Sequence, residues 1–255
     1  MKKTISVIVI KSREDQYREA EHWLQMQSCY TDMEIICLEN ENNVHFSSAA
    51  AALNHGAAQA TGEILVFMHQ DVYLWDTTIL EQYRNFLSAR KTTILGVAGA
   101  DTSGTVYTDI YETTDKIRRN PPTNGQQIPV VSVDECLFAM HRELWQKLRF
   151  DPVCCDDWHC YAMDICFANT LAGGINLVMS FPICHDSLGN PEQKGFWRGI
   201  HRLVEKYRGT TIENITGCCV HIPCTRFAYL KYDLTHRILY PLNYRLQGLK
   251  RKMKK

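Results

Sequence analysis

An α/β fold with a mainly parallel sheet is what this sequence predicts, and three observations carry the prediction. Short apolar runs rich in β-branched residues recur over residues 5–10, 34–38, 63–68 and 94–98. Segments with helical spacing of apolar residues lie between them, so the strands are expected in βαβ units. The 255 residues, 45% hydrophobic and 22% charged, are enough for one sizeable α/β domain or two small ones.

The elements follow in order. Residues 5–10 form the first strand. Residues 14–27 carry Tyr17, Ala20, Trp23, Leu24 and Gln27 near helical spacing, and residues 34–38 form the second strand. Ser47 or Ser48 caps a helix that runs to about Ala60, with Ala49, Ala52, Leu53, Gly56 and Ala60 on a 3.6 period. Thr61-Gly62 stops it before the third strand, 63–68. A helix over 77–90 and a fourth strand over 94–98 follow. Residues 101–129 are polar, with Asn120-Pro121-Pro122 and Asn124-Gly125, and read as a long surface loop or a flap over a site. Order returns over 128–133. Helices are expected over 141–148, 157–172, 191–208 and 226–250, the last bent or split at Pro241, and a late strand over 175–181.

Eleven cysteines, an odd number, and an apolar N-terminal run of about six residues, too short for a signal-peptide core of roughly 7–15, point to reduced thiols in a cytoplasmic protein. Cys37, Cys136 and Cys166 sit in apolar stretches, where a free thiol behaves as a small hydrophobe. No apolar run approaches the ~20 residues of a membrane span. The net charge of zero hides an asymmetry. Residues 226–255 hold nine Lys/Arg against one acid, Asp233, while the rest of the chain holds 19 basic against 27 acidic residues. The basic tail interleaves Phe227, Tyr229, Leu230, Leu234, Ile238, Leu239, Leu242 and Leu246 with its charges. Two destinations stay open: peripheral contact with an anionic membrane surface, or packing on the rest of the chain or on a second copy in a homodimer. A nucleic-acid partner is not expected, because no recognition motif accompanies these charges.

Parallel sheets bind ligands beyond the carboxyl ends of their strands. That rule selects Lys11-Ser12, Glu39-Asn40 and His69-Gln70-Asp71. In an extended segment His69 and Asp71 face one side together. A carboxylate there suits a hard cation, Mn2+ or Mg2+, that neutralises a diphosphate.

The residues around that strand end have a further likeness. Asn54 and Gly56 on the helix, then Ala60, Gly62 and Glu63, an apolar strand, and Asp71 follow one another in the order and spacing of the family 2 glycosyltransferases. The segment 50–72 resembles that family's core, and Ser6–Ile10 its opening strand, in a subgroup with His-Gln-Asp in place of Asp-x-Asp. The resemblance covers about residues 1–190. It implies the GT-A fold, a Rossmann-like mixed sheet flanked by helices, with a C-terminal helical extension over 191–255. The activity it implies is inverting, metal-dependent transfer from a nucleotide-diphosphate sugar, UDP-linked, to a hydroxyl of a glycan or lipid-linked acceptor in surface glycan synthesis at the inner face of the membrane. Its implied nucleotide-binding residues are Ser12, Glu39, Asn40, Asn54 and Gln70, although Asn54 reads equally as a satisfied core amide. Asp71 and His185 would hold the metal. His69 ligates it, contacts a phosphate or only shapes the turn; these three stay open. Asp134 and Glu135 fall where the family contacts donor sugar or acceptor, and Trp197, on the following helix, reads either as a ring that stacks on a sugar or as a core residue. The catalytic base is expected at Asp164, then Asp157, with Asp156 a further option, since Tyr161–Asp164 lacks one acid of the family's Glu-Asp-x-Asp. A carboxylate is needed there to take the acceptor's proton.

Two other readings compete. Cys218-Cys219-Val220-His221 with Cys224, and Cys154-Cys155 with His159 and Cys160, are rich in zinc-type ligands but lack paired Cys-x-x-Cys spacing. The acids missing at His69 and Ala162 also fit a non-catalytic nucleotide-sugar-binding or scaffold protein.

Overall fold

The computed structural model describes residues 4–111, 125–187, 194–232 and 234–235. The chain opens with strand β1 (Ile5–Lys11), helix α1 (Glu14–Gln25), β2 (Met33–Glu39), α2 (Ala49–Gln59) and β3 (Ile64–His69). Ser48 caps α2 by accepting from the Ala51 amide. β1 pairs in parallel with β2 on one side and β3 on the other, so three carboxyl ends lie side by side. The middle of the chain adds β4 (Val72–Tyr73), α3 (Ile79–Leu87), β5 (Thr93–Gly96), β6 (Ala98–Ala100), β7 (Val106–Thr108), β8 (Ile110–Tyr111), β9 (Ile128–Pro129), β10 (Ser132–Val133) and β11 (Leu137–His141). Then come α4 (Arg142–Leu148), α5 (Tyr161–Leu171), β12 (Ile175–Val178), β13 (Ile183–His185), α6 (Lys194–Tyr207), β14 (Asn214–Gly217) and β15 (Val220–Pro223).

Seven strands form the central sheet in the order β2-β1-β3-β11-β5-β12-β9. β11 runs antiparallel between β3 and β5, so the sheet is mixed. Strand alternation divides the core. Ile5, Val7 and Val9 of β1, with Ile64, Val66 and Met68 of β3, join the cluster holding Leu24 of α1 and Leu80 and Tyr83 of α3. Ile8, Leu65 and Phe67 face the other way, into the cluster of α2, α4, α5 and α6. Residues beyond 190 share this second cluster through Ile200, Leu203, Val204, Ile215 and Val220.

The structure revises several expectations. β11 is the largest, a short run buried on both faces that has no alternation to reveal it. The fourth strand divides at Val97, and β6 leaves for a separate sheet with β10 and β7. The stretch read as a loop holds β7, β8 and β9, and the expected flap falls partly on residues outside those described. The helix expected from residue 157 begins at Tyr161, after Cys160 in a left-handed conformation (φ 72°). The hairpin β14–β15 was not foreseen. Residues 226–232 are helical; Pro241 lies outside the described residues.

Glu34 on β2 clasps the turn between α2 and β3. Its Oε1 accepts from Ser6 Oγ (2.5 Å), Thr61 N (2.6 Å), Thr61 Oγ1 (2.9 Å) and Gly62 N (3.2 Å). Burial opposes its ionisation, but these donors outweigh it and hold the carboxyl below its ordinary range. Gly62 is needed in this clasp because a Cβ there would stand 2.7 Å from the Ile5 carbonyl carbon and from Ser6 N. Gly62→Ala is therefore expected to destabilise the fold by about 2 kcal/mol through overpacking, read as a lower urea midpoint with an unchanged slope.

Candidate functional site

The end of β3 is positioned by its neighbours. Gln70 turns toward β1, where its Oε1 accepts from Ser12 N (2.7 Å) and Arg13 N (2.9 Å) and its Nε2 donates to Ser12 Oγ (2.8 Å). Asp71 is joined to a distant part of the chain by the pairing of β4 with β13. His185 stands opposite Val72, and Asp186 N donates to the Asp71 carbonyl (2.8 Å). His185 Nε2 then lies 3.4 Å from Asp71 Oδ1, and His69 Nδ1 lies 4.0 Å from the same oxygen. Among the described residues, His69, Asp71 and His185 form the one group of three or more His, Cys, Asp or Glu whose ligand atoms lie within 4.8 Å of one another. Neither cysteine-rich stretch forms such a group, and all eleven cysteines are free thiols.

Tyr161, at the start of α5, fixes the third member. Its hydroxyl donates to the Glu135 carbonyl (3.3 Å) and lies 2.9 Å from His69 Nε2. The Nε2 side of the His69 ring is thereby tied to Tyr161, and Nδ1 is the atom that faces Asp71. Burial, and then the positive charge of His185, push the His69 pKa down to about 4, so its ring is neutral near pH 7. Burial opposes the ionisation of Asp71, but its hydrogen bond with His185 and the charge of that ring hold its pKa below the ordinary carboxylate value. Two imidazole nitrogens and one carboxylate oxygen, with one ring oriented from behind, fit a divalent transition ion such as Mn2+.

Two cavities meet at this point. One, of about 330 Å3, is lined by Ile10, Ser12, Leu53, Phe67, Trp158 and the His69–Asp71 segment among others. The second, of about 310 Å3, lies against Asp134, Met163, His185, Phe196 and the hairpin residues Cys218 and Cys219. His69, Glu135 and His159 line both. Asp134 and Glu135 differ in environment. Burial opposes charge on each, but the Cys136 amide (3.0 Å) and His185 keep Asp134 low, whereas burial leaves Glu135 raised despite His159 Nδ1 at 3.9 Å.

Several expected site residues have other work. Asp164 is buried and paired with Lys206 Nζ (2.8 Å) and Tyr207 Oη (2.8 Å), away from both cavities. Asp157 precedes α5 and pairs with Arg198 (2.8 Å); Asp156 pairs with Arg202 (2.6 Å). Glu39 is exposed and bound to Lys11 (2.7 Å). Asn40 borders the first cavity, but its Oδ1 takes the amides of His45 and Phe46 while its amide donates to Phe46 O, so it builds the 40–46 loop. Asn54 is a core amide, donating to Phe150 O (2.8 Å) and accepting from Phe150 N and Trp145 Nε1 (3.1 Å each). Trp197 packs on Tyr232; its neighbour Phe196 faces the second cavity. Sequence reasoning missed Trp158, His159, Phe196 and the orienting role of Tyr161. Gly195 and Gly199, four apart, were a usable signal: a Cβ on them would stand 2.2 Å from Asp157 Oδ2 and 2.6 Å from Cys160 Sγ, so α6 lies directly on the 157–160 segment.

Residues 6–204 match the profile of a family described as glycosyltransferase like. No curated protein matches the chain. Among solved structures the chain is similar to GalNAc-T7 with UDP, GalNAc and Mn2+ (14% identity, 80% of this chain and 49% of that one, TM-score 0.59). It is also similar to the mannosyltransferase PcManGT of Pyrobaculum calidifontis with GDP-Man and Mn2+ (14% identity, 81% and 64%, TM-score 0.56). A third is TarS 1–349 of S. aureus with UDP-GlcNAc (14% identity, 82% and 68%, TM-score 0.57). The chain spans about half the length of the first of these. Identities this low carry the shared fold alone.

Because Asp164 is matched to Lys206 rather than offered to a ligand, Lys206→Met is expected to cost stability, about 3 kcal/mol for stranding a buried carboxylate. Metal affinity, followed by isothermal titration with Mn2+, is expected to stay at the wild-type value.

Proposed function

The chain belongs to this glycosyltransferase-like family, and from that premise we propose that it moves a monosaccharide from a UDP- or GDP-linked donor to a hydroxyl acceptor with inversion. Its fold is that of the GT-A glycosyltransferases. The observation that carries the reading is the convergence of His69, Asp71 and His185 at the mouth of the cavity over β1 and β3. A divalent ion held there supplies positive charge to the departing diphosphate. Asp71 would bring the negative charge, and His69, whose pKa burial lowers, a neutral ring positioned by Tyr161. The nucleotide lies in the first cavity, its base against Ile10, Leu53 and Trp158, with Gln70 holding the Ser12 turn beneath it. Such a division, apolar walls with few convergent polar groups, is usual for small-molecule sites.

Thermal unfolding tests this. Mn2+ with UDP or GDP at about 100 times Kd is expected to stabilise the protein by about 2.7 kcal/mol. EDTA is expected to reverse the shift and Asp71→Ala to abolish it. No Mn2+-dependent shift with either nucleotide would overturn the proposal.

The acceptor is a glycan, carried on a lipid at the cytoplasmic face of the membrane. What supports this is the apolar stripe of Phe227, Leu230 and Leu234, 79%, 62% and 61% exposed, beside the basic residues of 226–255. The contact in this reading is peripheral, and among the described residues no helix is long and apolar enough to cross a membrane. Phe227→Ser with Leu230→Ser is expected to weaken co-sedimentation with phosphatidylserine vesicles without changing thermal stability. Unchanged vesicle binding, or a change of oligomeric state instead, would count against a membrane role.

A further inference from the structure

The carboxylates that pattern alone favoured as the base are paired with Lys or Arg, and one other acid is not. Asp164 is held by Lys206 and Tyr207, and Asp157 by Arg198. Glu135 is paired with neither Lys nor Arg: His159 Nδ1 stands 3.9 Å from its Oε2, and the carboxyl raises the pKa of that ring. The Glu135 Oε1 is buried without a hydrogen-bond partner. Structural carboxylates in a protein interior are normally satisfied, and an acid left short of partners invites a functional explanation. Glu135 also stands at the boundary of the two cavities, where a donor seated in one must meet whatever occupies the other.

Resting on the donor-site reading above, we propose that the second cavity is the acceptor subsite, that it receives an uncharged sugar ring, and that the Glu135 carboxylate takes the proton of the attacking hydroxyl. The cavity has the two surfaces a pyranose needs. Phe196, Met163, Val133 and Val220 give an apolar wall for the ring's C–H face. Asp134 and Glu135 line the same cavity, and as ionised carboxylates they only accept, so the groups they hold must donate. No Lys or Arg is among the described residues lining the cavity. A carboxylate or phosphate on the acceptor would meet two acids with only the imidazoles of His69, His159 and His185 beside them, a repulsion that selects against anionic sugars. Burial also raises the proton affinity of Glu135, the direction a general base requires.

The step balances as a single displacement. The acceptor O–H bond breaks and its proton passes to Glu135. The oxygen's electron pair forms the new bond to the anomeric carbon from the side opposite the diphosphate. The anomeric C–O bond to the diphosphate breaks, and its pair leaves on the nucleoside diphosphate. His159, beside Glu135 and packed edge-on against Phe196 (centroids 5.9 Å apart), is a positioning residue for that carboxylate.

The test uses the full chain with Mn2+, UDP- and GDP-sugars, and an immobilised glycan array bearing neutral, uronic-acid and phosphorylated termini. Transfer is expected on neutral termini and not on the acidic ones. Glu135→Gln is expected to lower both transfer and slow donor hydrolysis by about 100-fold or more while UDP affinity changes by less than about threefold. Glu135→Asp is expected to recover part of the rate. Phe196→Ala, which touches only the second cavity, is expected to raise the acceptor KM and leave UDP affinity alone. Intact UDP affinity with full turnover in Glu135→Gln overturns this inference alone. So does product confined to acidic termini, or donor hydrolysis with no product on any terminus. Failure of the wild-type chain to bind any nucleotide overturns the donor-site reading together with it.

Discussion

His69 and Tyr161 meet at the seam where the central sheet ends and α5 begins, and the site is organised around that hydrogen bond. It joins a strand residue to a helix residue 92 positions later, and behind it the Tyr161 hydroxyl is tied to the Glu135 carbonyl. Three segments therefore share one buried polar contact, where such a bond is strong and costly to leave unmade. It holds the ring so that Nδ1, not Nε2, faces Asp71.

That arrangement also alters the charge of the cleft. A carboxylate at position 69 would bring a second negative charge beside Asp71 and near Asp134. The neutral ring avoids that repulsion and makes room for acidic residues on the far wall. Asp134 and Glu135 can sit so close to the triad partly because the triad carries a single carboxylate.

Much of this was legible in the residues. The βαβ rhythm of the first hundred residues came through because amphipathic periods in α1, α2 and α3 alternate with β-branched runs. The strand ends then located the cleft. The pairing of His69, Asp71 and His185 was approachable because each follows an apolar run that could end at the same edge. What sequence reading could not supply was competition among like residues. Asp164 and Glu135 look equivalent as letters. Only packing reveals that Lys206 reaches one, while the other has His159 at 3.9 Å and one buried oxygen without a hydrogen-bond partner. β11 was missed for a related reason: buried on both faces, its residues have no polar alternation to read. The offset of α5 by a few residues came from Cys160, whose left-handed backbone no apolar period announces.

The short ladder between β4 and β13 has its own consequence. Asp71 and His185 are spaced by backbone pairing of neighbouring residues, not by the side chains themselves. A frame of that kind is indifferent to which ligand is mounted on it. Exchanging the donor atoms at 69, 71 or 185 would retune which cations are accepted while the mounting stays fixed, so the chemistry of this cleft is separable from the architecture that carries it.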